Sequence, residues 1–295
     1  MFVGAIAACG GTKSPGATPY GIVSPTPAPS STAFVITNEP PRPTPTPPPH
    51  VFIVLMENTG PGRALQSQAI ERLAGANVFA TNYRAVARPS LPNYLALTSG
   101  STWGITDNDY HVLPAEDLGT QLTTAGISWR AYMEGMTAQG GCMRSPYPYA
   151  LKHNPFAYYG GKCPANVVPI ESLDSDLAFT TPNFVWITAD LCHSGHDCAG
   201  DVAGAWLEQL VSRIVASNAW RGDGILFVVW DEGDGGDADN FAPLIIITKN
   251  ARALRIETRY DHYSLLATIE DLFRVPRLGD ARTARPIALP PAEGR

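Results

Sequence analysis

The sequence predicts an α/β fold in which a mainly parallel central sheet carries helices on both faces. Apolar runs of strand length alternate along the chain with stretches of helical spacing, which is typical of a parallel sheet with crossover helices. Most of these runs are continuously apolar, as expected of strands buried on both faces. A Pro-rich segment of low apolar content precedes the first run and predicts a disordered N-terminal region.

The chain has 295 residues and 44% apolar content, enough for one sizeable core. We expect a single folded domain over residues 50–285, followed by a C-terminal tail at 286–295. The net charge is −6, and the basic residues are scattered rather than clustered. This charge distribution gives no electrostatic footprint for nucleic acid, so we expect no nucleic-acid partner.

Residues 1–9 resemble the end of a secretion signal. The segment Ile6-Ala7-Ala8-Cys9 is similar to a bacterial lipobox, in which cleavage before the cysteine frees its thiol for lipidation. The charged start and most of the apolar stretch of such a signal are missing, which fits a true start upstream of Met1. We expect an exported protein, either a surface lipoprotein attached to a membrane through Cys9 or an extracellular or periplasmic one. The alternative is a tail of small residues with a chance cysteine.

Residues 10–49 are dominated by Pro, Ser, Thr, Ala and Gly. Such a segment cannot bury enough apolar surface to offset the entropy lost on ordering it. We therefore expect a disordered or polyproline-like linker that separates the folded domain from the N-terminus.

The elements of the domain follow from the two periodicities. Apolar runs predict strands at residues 51–56, 78–86, 127–133, 183–188, 224–230 and 243–248. Helical spacing predicts helices at residues 66–75, 91–99, 117–125, 202–217 and 262–273. The segment from Met136 to Pro169 is rich in Gly, Pro and Tyr and has little periodicity, so we expect an irregular insertion there.

Four cysteines lie within the predicted domain. Their spacing suggests the pairs Cys142–Cys163 and Cys192–Cys198, although four cysteines permit three pairings. Disulfides are typical of exported proteins, which supports the interpretation of the N-terminus. The alternatives are reduced, buried thiols and, less favoured without a CxxC pair, zinc ligation.

Two of the predicted strands end in acidic and amide side chains. Glu57 and Asn58 follow the first strand, and Asp231 and Glu232 follow the fifth. Enzymes with parallel sheets keep their chemistry at the carboxyl ends of the strands. For either pair alone, a solvated loop is the favoured interpretation. Together, four oxygen donors indicate a site for a divalent cation.

Ser90 lies between a predicted strand and a predicted helix. A serine in that position is a good N-cap, which is the structural interpretation. It is also a good nucleophile, because the free N–H groups of a helix N-terminus favour an incoming phosphate and a serine oxygen of alkoxide character.

Histidines add candidates for proton transfer. His262 stands at a predicted helix start beside Asp261, which is a candidate helix cap, and His196 lies with His193 in the tight loop between Cys192 and Cys198. A histidine in such a place can donate a proton or contact a phosphate oxygen, and a structural hydrogen bond is the alternative for each. His111 is interpreted as structural.

Six segments between about residues 50 and 280 share a recognisable pattern: Phe52 to Asn58, Ala80 to Tyr94, Lys152 to Phe156, Leu191 to Cys198, Trp230 to Gly233 and Tyr260 to Ser264. In this order they resemble the bacterial phosphoesterase family. That family contains phospholipase C-like and acid phosphatase-like enzymes and belongs to the alkaline phosphatase superfamily.

The resemblance implies an alkaline phosphatase-like fold and a covalent mechanism on a metal centre. Ser90 would attack phosphorus, and hydrolysis would pass through a phosphoserine. His196 and His262 would stabilise the phosphoryl oxygens or protonate the leaving group, while Asn93 and His153 would contact the substrate. The ligands of one or more divalent ions (Ca, Mg, Mn or Zn) would be Glu57, Asn58, Ser90, Asp231 and Glu232. The substrate would be a small-molecule or lipid phosphate ester.

The sequence departs from the family pattern at two positions. Arg88 and Thr59 each stand where relatives often carry histidine, which bears on phosphate contacts or substrate preference. Two other functions are weighed against an exported metal-dependent phosphoesterase. A serine acyl hydrolase using Ser90 or Ser194 lacks the G-x-S-x-G signature. An anchored lipoprotein that binds a phosphorylated or glycan ligand without turnover fits the signal and the linker equally well.

Overall fold

The computed structural model describes residues 47–249 and 252–290, together with Gly16 and Gly21. The chain divides into two units, Met1–Pro45 and Thr46–Arg295, and all elements below belong to the second. The predicted signal, the lipidated Cys9 and most of the linker at 10–49 lie outside the described residues. In the part that is described, no helix is both long and apolar enough to cross a bilayer.

Eight strands form a central mixed sheet in the order β5-β4-β6-β1-β7-β8-β2-β9, and β3 pairs with β10 in a small second sheet. The strands in chain order are β1 (Val51–Met56), β2 (Val78–Ala80), β3 (Tyr83–Arg84), β4 (Trp129–Met133), β5 (Val167–Pro169), β6 (Phe184–Thr188), β7 (Ile225–Trp230), β8 (Leu244–Thr248), β9 (Leu254–Ile256) and β10 (Tyr260–Asp261). Only β8 runs against its neighbours among these described strands. The predicted mainly parallel sheet is confirmed.

Helices cover the sheet. They are α1 (Pro61–Ala64), α2 (Gln68–Ala76), α3 (Ser90–Ser99), α4 (Leu118–Thr124), α5 (Gly141–Arg144), α6 (Leu173–Phe179), α7 (Gly200–Ala216), α8 (Asn218–Asp223) and α9 (His262–Phe273). Short 3₁₀ turns occupy Leu151–His153, Pro155–Ala157, Ile170–Ser172 and Gly279–Arg282. Every residue of β1 and β6 is buried, so both faces of the sheet are covered, as predicted. On these faces α2 packs against α7, and α3 packs against α9.

The strand predicted at 78–86 is wrong as a single element. The structure has β2 and β3 there, in two different sheets, separated by a turn at Thr81 and Asn82. The backbone N–H of Thr81 donates to the carbonyl of Ile256, which ends the pairing of β2 with β9. The apolar run therefore continues through a turn that its periodicity does not reveal.

The segment 136–169 is more regular than predicted. It contains α5, two 3₁₀ turns and β5, and β5 pairs in parallel with β4 at the edge of the main sheet. Both suggested disulfides are present, with Cα–Cα distances of 5.9 Å for Cys142–Cys163 and 4.7 Å for Cys192–Cys198.

The folded domain extends beyond the expected limits of 50 and 285. At the N-terminal side the Pro48 carbonyl accepts a hydrogen bond of 3.0 Å from the Asn183 side chain. At the other end Ile287 is buried, and its N–H donates to Thr268 Oγ1 at 2.7 Å. Contacts with the domain thus reach into the segment expected to be a tail.

Candidate active site

The register of two central strands brings the polar strand tips together. β1 and β7 are adjacent and parallel, and Met56 lies opposite Trp230 at their last pair. The residue that follows each strand has a carboxylate side chain, so Glu57 and Asp231 are neighbours at the carboxyl edge of the sheet. The backbone ties the two tips together, because the Asp231 N–H donates to the Met56 carbonyl at 3.1 Å.

Asp231 is fully buried and faces other carboxylates. Its Oδ1 accepts backbone hydrogen bonds from Asn58 at 3.0 Å and from Glu232 at 2.7 Å, whereas its Oδ2 has no hydrogen-bond partner among the described residues. Asn58 adopts a φ of 44°, a left-handed conformation that asparagine tolerates better than most residues. Burial, followed by the charges of Glu57 and Glu232, raises the pKa of Asp231 well above its usual value.

Glu57 is also fully buried but has basic side chains as neighbours. Its Oε1 contacts His153 Nε2 and lies 3.5 Å from Lys152 Nζ, and its Oε2 lies 3.7 Å from His196 Nε2. Burial alone would raise the pKa of Glu57, but these neighbours lower it to about 2. Burial also lowers the pKa of His153, which opposes a charged imidazole. The charge of Glu57 opposes this shift.

Ser90 is the first residue of α3 and is almost fully buried. The N-cap position is Pro89, and the N–H of Leu91 is satisfied by Asn108 Oδ1 at 3.0 Å. The hydroxyl of Ser90 therefore does not cap the helix. Its Oγ donates to Glu232 Oε1 at 3.4 Å and accepts from Lys152 Nζ at 3.2 Å, which aims it at the strand tips.

Arg88 holds Glu232 and the loop that follows. Its guanidinium donates to Glu232 Oε2 at 3.1 Å and to the Asp234 carbonyl at 2.8 Å. Burial raises the pKa of Glu232, and the charge of Arg88 opposes this shift. Arg88 is thus committed to a carboxylate, whereas the side chain of Thr59 donates to the Glu57 carbonyl at 2.9 Å.

Asn93 supports the loop before Ser90. Its Oδ1 accepts hydrogen bonds from the N–H groups of Val86 and Ala87, and its Nδ2 donates to the carbonyls of Ala87 and Pro89. All four groups are backbone groups, and Asn93 is fully buried. The predicted contact of Asn93 with substrate finds no support in this geometry, because both ends of its amide are already used.

His262 is placed in a similar way. It is fully buried at the start of α9, where Asp261 caps the helix as expected by accepting from the Ser264 N–H at 2.9 Å. The ring Nε2 lies 2.6 Å from the Asp231 carbonyl and Nδ1 lies 2.7 Å from the Tyr83 hydroxyl. A carbonyl can only accept, so Nε2 carries the proton and Nδ1 accepts from Tyr83. Burial lowers the pKa of His262 to about 4, and the ring positions Asp231 rather than facing the Ser90 hydroxyl.

His196 is the most accessible histidine of the site. Its side chain is 33% exposed, Nδ1 lies 2.6 Å from Asp197 Oδ1, and Nε2 faces Glu57. The loop between Cys192 and Cys198 is fixed against β1, because the Glu57 N–H donates to the Ser194 carbonyl at 3.0 Å. This arrangement leaves His196 at the edge of the cluster, where it can meet a ligand.

The donor set fits a hard divalent cation. Glu57, Asp231 and Glu232 are buried together, and the buried Oδ2 of Asp231 has no hydrogen-bond partner in the described structure. Buried carboxylates normally require a compensating charge or hydrogen bonds. Asn58 and Ser90 complete the set of oxygen donors expected from the sequence, and such donors suit Ca, Mg or Mn more than a soft ion.

Sequence reasoning missed Lys152 and a second polar cluster. Lys152 follows no periodic pattern, and its place at the start of the family-like segment Lys152 to Phe156 is the signal that could have indicated a role. Glu134, Asp190 and His193 offer ligand atoms within 4.8 Å of one another. Their atoms are used internally, since Glu134 Oε1 accepts from Trp206 at 2.8 Å and lies 3.0 Å from His193 Nδ1. This cluster braces the start of the Cys192–Cys198 loop.

Solved structures of similar fold include a protein of the alkaline phosphatase superfamily. A superfamily protein from Vibrio parahaemolyticus matches 82% of this chain and 71% of its own chain, with a TM-score of 0.58 and 13% identity. Murine ectonucleotide pyrophosphatase/phosphodiesterase 5 matches 80% of this chain and 99% of its own, with a TM-score of 0.56 and 10% identity. These similarities confirm an alkaline phosphatase-like fold.

Curated relatives are similar in sequence. A phosphatidylinositol-3-phosphatase from Mycobacterium tuberculosis is 31% identical over 249 residues, which are 81% of each chain. A probable acid phosphatase from Kluyveromyces lactis is 28% identical over 77% of this chain, and this chain spans 59% of that protein's length. The model of the Phosphoesterase family matches residues 66–276. The chain therefore belongs to the phosphoesterase family.

Proposed function

We propose that the protein is an exported, metal-dependent phosphoesterase that hydrolyses phosphate esters through a phosphoserine on Ser90. The observation that carries this proposal is that Ser90 Oγ bonds to Glu232 at 3.4 Å, while Glu57 and Asp231 follow adjacent strands and the buried Oδ2 of Asp231 has no partner among the described residues. The acid phosphatase and phosphatidylinositol-3-phosphatase names of the relatives support the same reaction class.

The ion would be held by the carboxylates at the tips of β1 and β7, by Asn58 and by the Ser90 oxygen. When bound, it supplies charge neutralisation at the phosphoryl group and favours the ionised form of the serine hydroxyl. The protein contributes the positions, because Ser90 begins α3 and the other four donors directly follow the buried strands β1 and β7. A site on such elements holds its groups close to the reactive geometry.

The chemistry takes two displacements at phosphorus. Ser90 Oγ attacks phosphorus and passes its proton to Glu232 Oε1, which accepts its hydrogen bond; the bond to the ester oxygen breaks, and the leaving alcohol takes up a proton. Water then attacks the phosphoserine and loses a proton, and Ser90 Oγ leaves and takes its proton back from Glu232. A monoester substrate gives inorganic phosphate, and a diester gives a phosphomonoester. His196, at the edge of the site, is placed to give the leaving group its proton.

Export is supported by the disulfides Cys142–Cys163 and Cys192–Cys198, since such bonds persist in oxidising compartments. Attachment through a lipidated Cys9 is part of the proposal and rests on the sequence alone. The substrate class we propose is a small-molecule or lipid phosphate ester.

The test measures hydrolysis of nitrophenyl phosphate and nitrophenyl phosphorylcholine by the full chain, with and without a chelator. We expect chelation to abolish turnover and a divalent ion to restore it. Ser90→Ala should lower kcat by roughly a thousandfold or more, because no other group supplies the attacking oxygen. Ser194→Ala, which changes the other serine considered above, is the matched control. Activity that survives both chelation and Ser90→Ala would refute the mechanism.

The same experiment addresses the competing functions. A binding lipoprotein would retain phosphate esters without releasing product after long incubation with metal. A serine acyl hydrolase would cleave carboxylic esters and be labelled by a fluorophosphonate without metal. Ser90 lies between a carboxylate and an ammonium group, with no imidazole among its described hydrogen-bond partners, which does not favour a Ser-His pair.

A further inference from the structure

We propose that Lys152 is a catalytic residue that stabilises the Ser90 oxygen in both displacements. Its Nζ lies 3.2 Å from Ser90 Oγ and 3.5 Å from Glu57 Oε1, so one ammonium group links the nucleophile to a strand-tip carboxylate. This inference rests on the phosphoesterase function proposed above and assigns a residue to it.

The hydrogen bonds of Ser90 give the ammonium a defined task. The hydroxyl proton of Ser90 points to Glu232 Oε1, and a lone pair of Oγ receives an N–H of Lys152. When Oγ loses its proton and attacks phosphorus, the negative charge on that oxygen develops beside the ammonium. When the phosphoserine breaks down, Oγ is the leaving oxygen, and the same charge returns beside the same group.

The lysine is held in place by its neighbours along the chain. Lys152 lies in the 3₁₀ turn Leu151–His153, and its side chain is only 19% exposed. The next residue, His153, stacks on Tyr94 with 5.2 Å between ring centroids and an angle of 9° between the ring planes. A cation fixed in a largely dehydrated site stabilises a developing charge more strongly than a solvated one.

The position of Lys152 predicts that removing its ammonium group has opposite effects on turnover and on metal binding. Removing the ammonium should slow turnover, because the Ser90 oxygen loses its cationic partner. Removing it should also strengthen binding of a divalent cation at Glu57. The ammonium lies 3.5 Å from that carboxylate and repels a cation bound there. A collapsed site would instead weaken both turnover and metal binding.

The experiment compares Lys152→Met with Lys162→Met, which makes the same change at an exposed position. We expect Lys152→Met to lower kcat/KM for nitrophenyl phosphate by roughly 100-fold to 1,000-fold. Its affinity for Mn²⁺, measured by calorimetry, should be up to about tenfold tighter than that of the wild type. In Lys152→Ala, added propylammonium should restore part of the rate with saturation, and propanol should not. Lys162→Met should match the wild type in every measurement.

Two results would overturn the role of Lys152. One is a Lys152→Met variant within about threefold of wild-type kcat/KM, which is too small for loss of a transition-state contact. The other is slow turnover accompanied by weaker Mn²⁺ binding and no rescue by propylammonium, which would make Lys152 structural. If chelator leaves the wild-type activity unchanged and Ser90→Ala is as active as the wild type, the proposed function is refuted. The role of Lys152 is then refuted as well.

Discussion

At the scale of single residues, two of the predicted site residues form hydrogen bonds within the protein. Asn93 and His262 carry residue types that suit substrate contact, yet each is fully buried and directs both of its polar ends to other groups of the protein. A residue type at a given spacing indicates that a polar group is needed there. It does not reveal whether that group faces a ligand or the chain, because the partners come from distant segments.

Asn93→Ala separates these two roles. The change removes four hydrogen bonds to the loop that precedes Ser90, so we expect a loss of about 2 to 4 kcal/mol in the free energy of unfolding. Turnover should fall by roughly 100-fold, because Ser90 loses its position. Thermal unfolding and kcat/KM are measured on the same preparation. Thr124→Ala, at an exposed position on α4, controls for a generic helix substitution. A variant with unchanged stability and lost activity would show that Asn93 contacts the substrate.

At the scale of elements, the strands that carry the site were predicted closely and the small ones were not. The limits of β1 matched its apolar run, and β7 differed by one residue, because continuous burial leaves a clear signal. The strand β9 has three residues, and Leu254 within it is 51% exposed, so neither length nor pattern marks it. Lys152 lies on a 3₁₀ turn, which has no periodicity to read.

The helix α9 contains a buried carboxyl that should make stability depend on pH. Glu270 is fully buried, its Oε1 accepts from the Leu278 N–H at 2.7 Å, and its Oε2 has no hydrogen-bond partner in the part of the chain that the structure describes. Burial raises the pKa of Glu270 to about 8 from a usual value of 4.5. Between these values the folded state holds a proton that the unfolded state has released. The free energy of unfolding should therefore fall as the pH rises from 4.5 to 8.

Glu270→Gln tests this dependence, because glutamine keeps the shape and cannot ionise. We expect the variant to unfold at a higher temperature than the wild type at pH 8, by an amount worth a few kcal/mol. The difference should shrink toward pH 4.5. Glu116→Gln, at an exposed site, should show no such trend. Equal pH profiles for Glu270→Gln and the wild type would contradict a raised pKa at Glu270.

At the scale of the whole molecule, the site depends on strand order. The sequence places Glu57 and Asp231 at the ends of two strands that are far apart in the chain, and periodicity does not say which strands are neighbours. The structure sets β7 directly beside β1 with their last residues paired, which makes one cluster out of two acidic tips. The strand β8, which alone among the described strands of this sheet is reversed, lies on the far side of β7 from β1.

The covalent phosphoserine on Ser90 is the central feature of the proposed mechanism, and the stereochemistry at phosphorus tests it most directly. The substrate is an aryl thiophosphate made chiral with oxygen isotopes and hydrolysed in isotope-labelled water by the metal-loaded full chain. Attack by Ser90 and then by water inverts phosphorus twice, so the account predicts net retention of configuration. Net inversion would mean that water attacks the ester directly and would contradict the central claim.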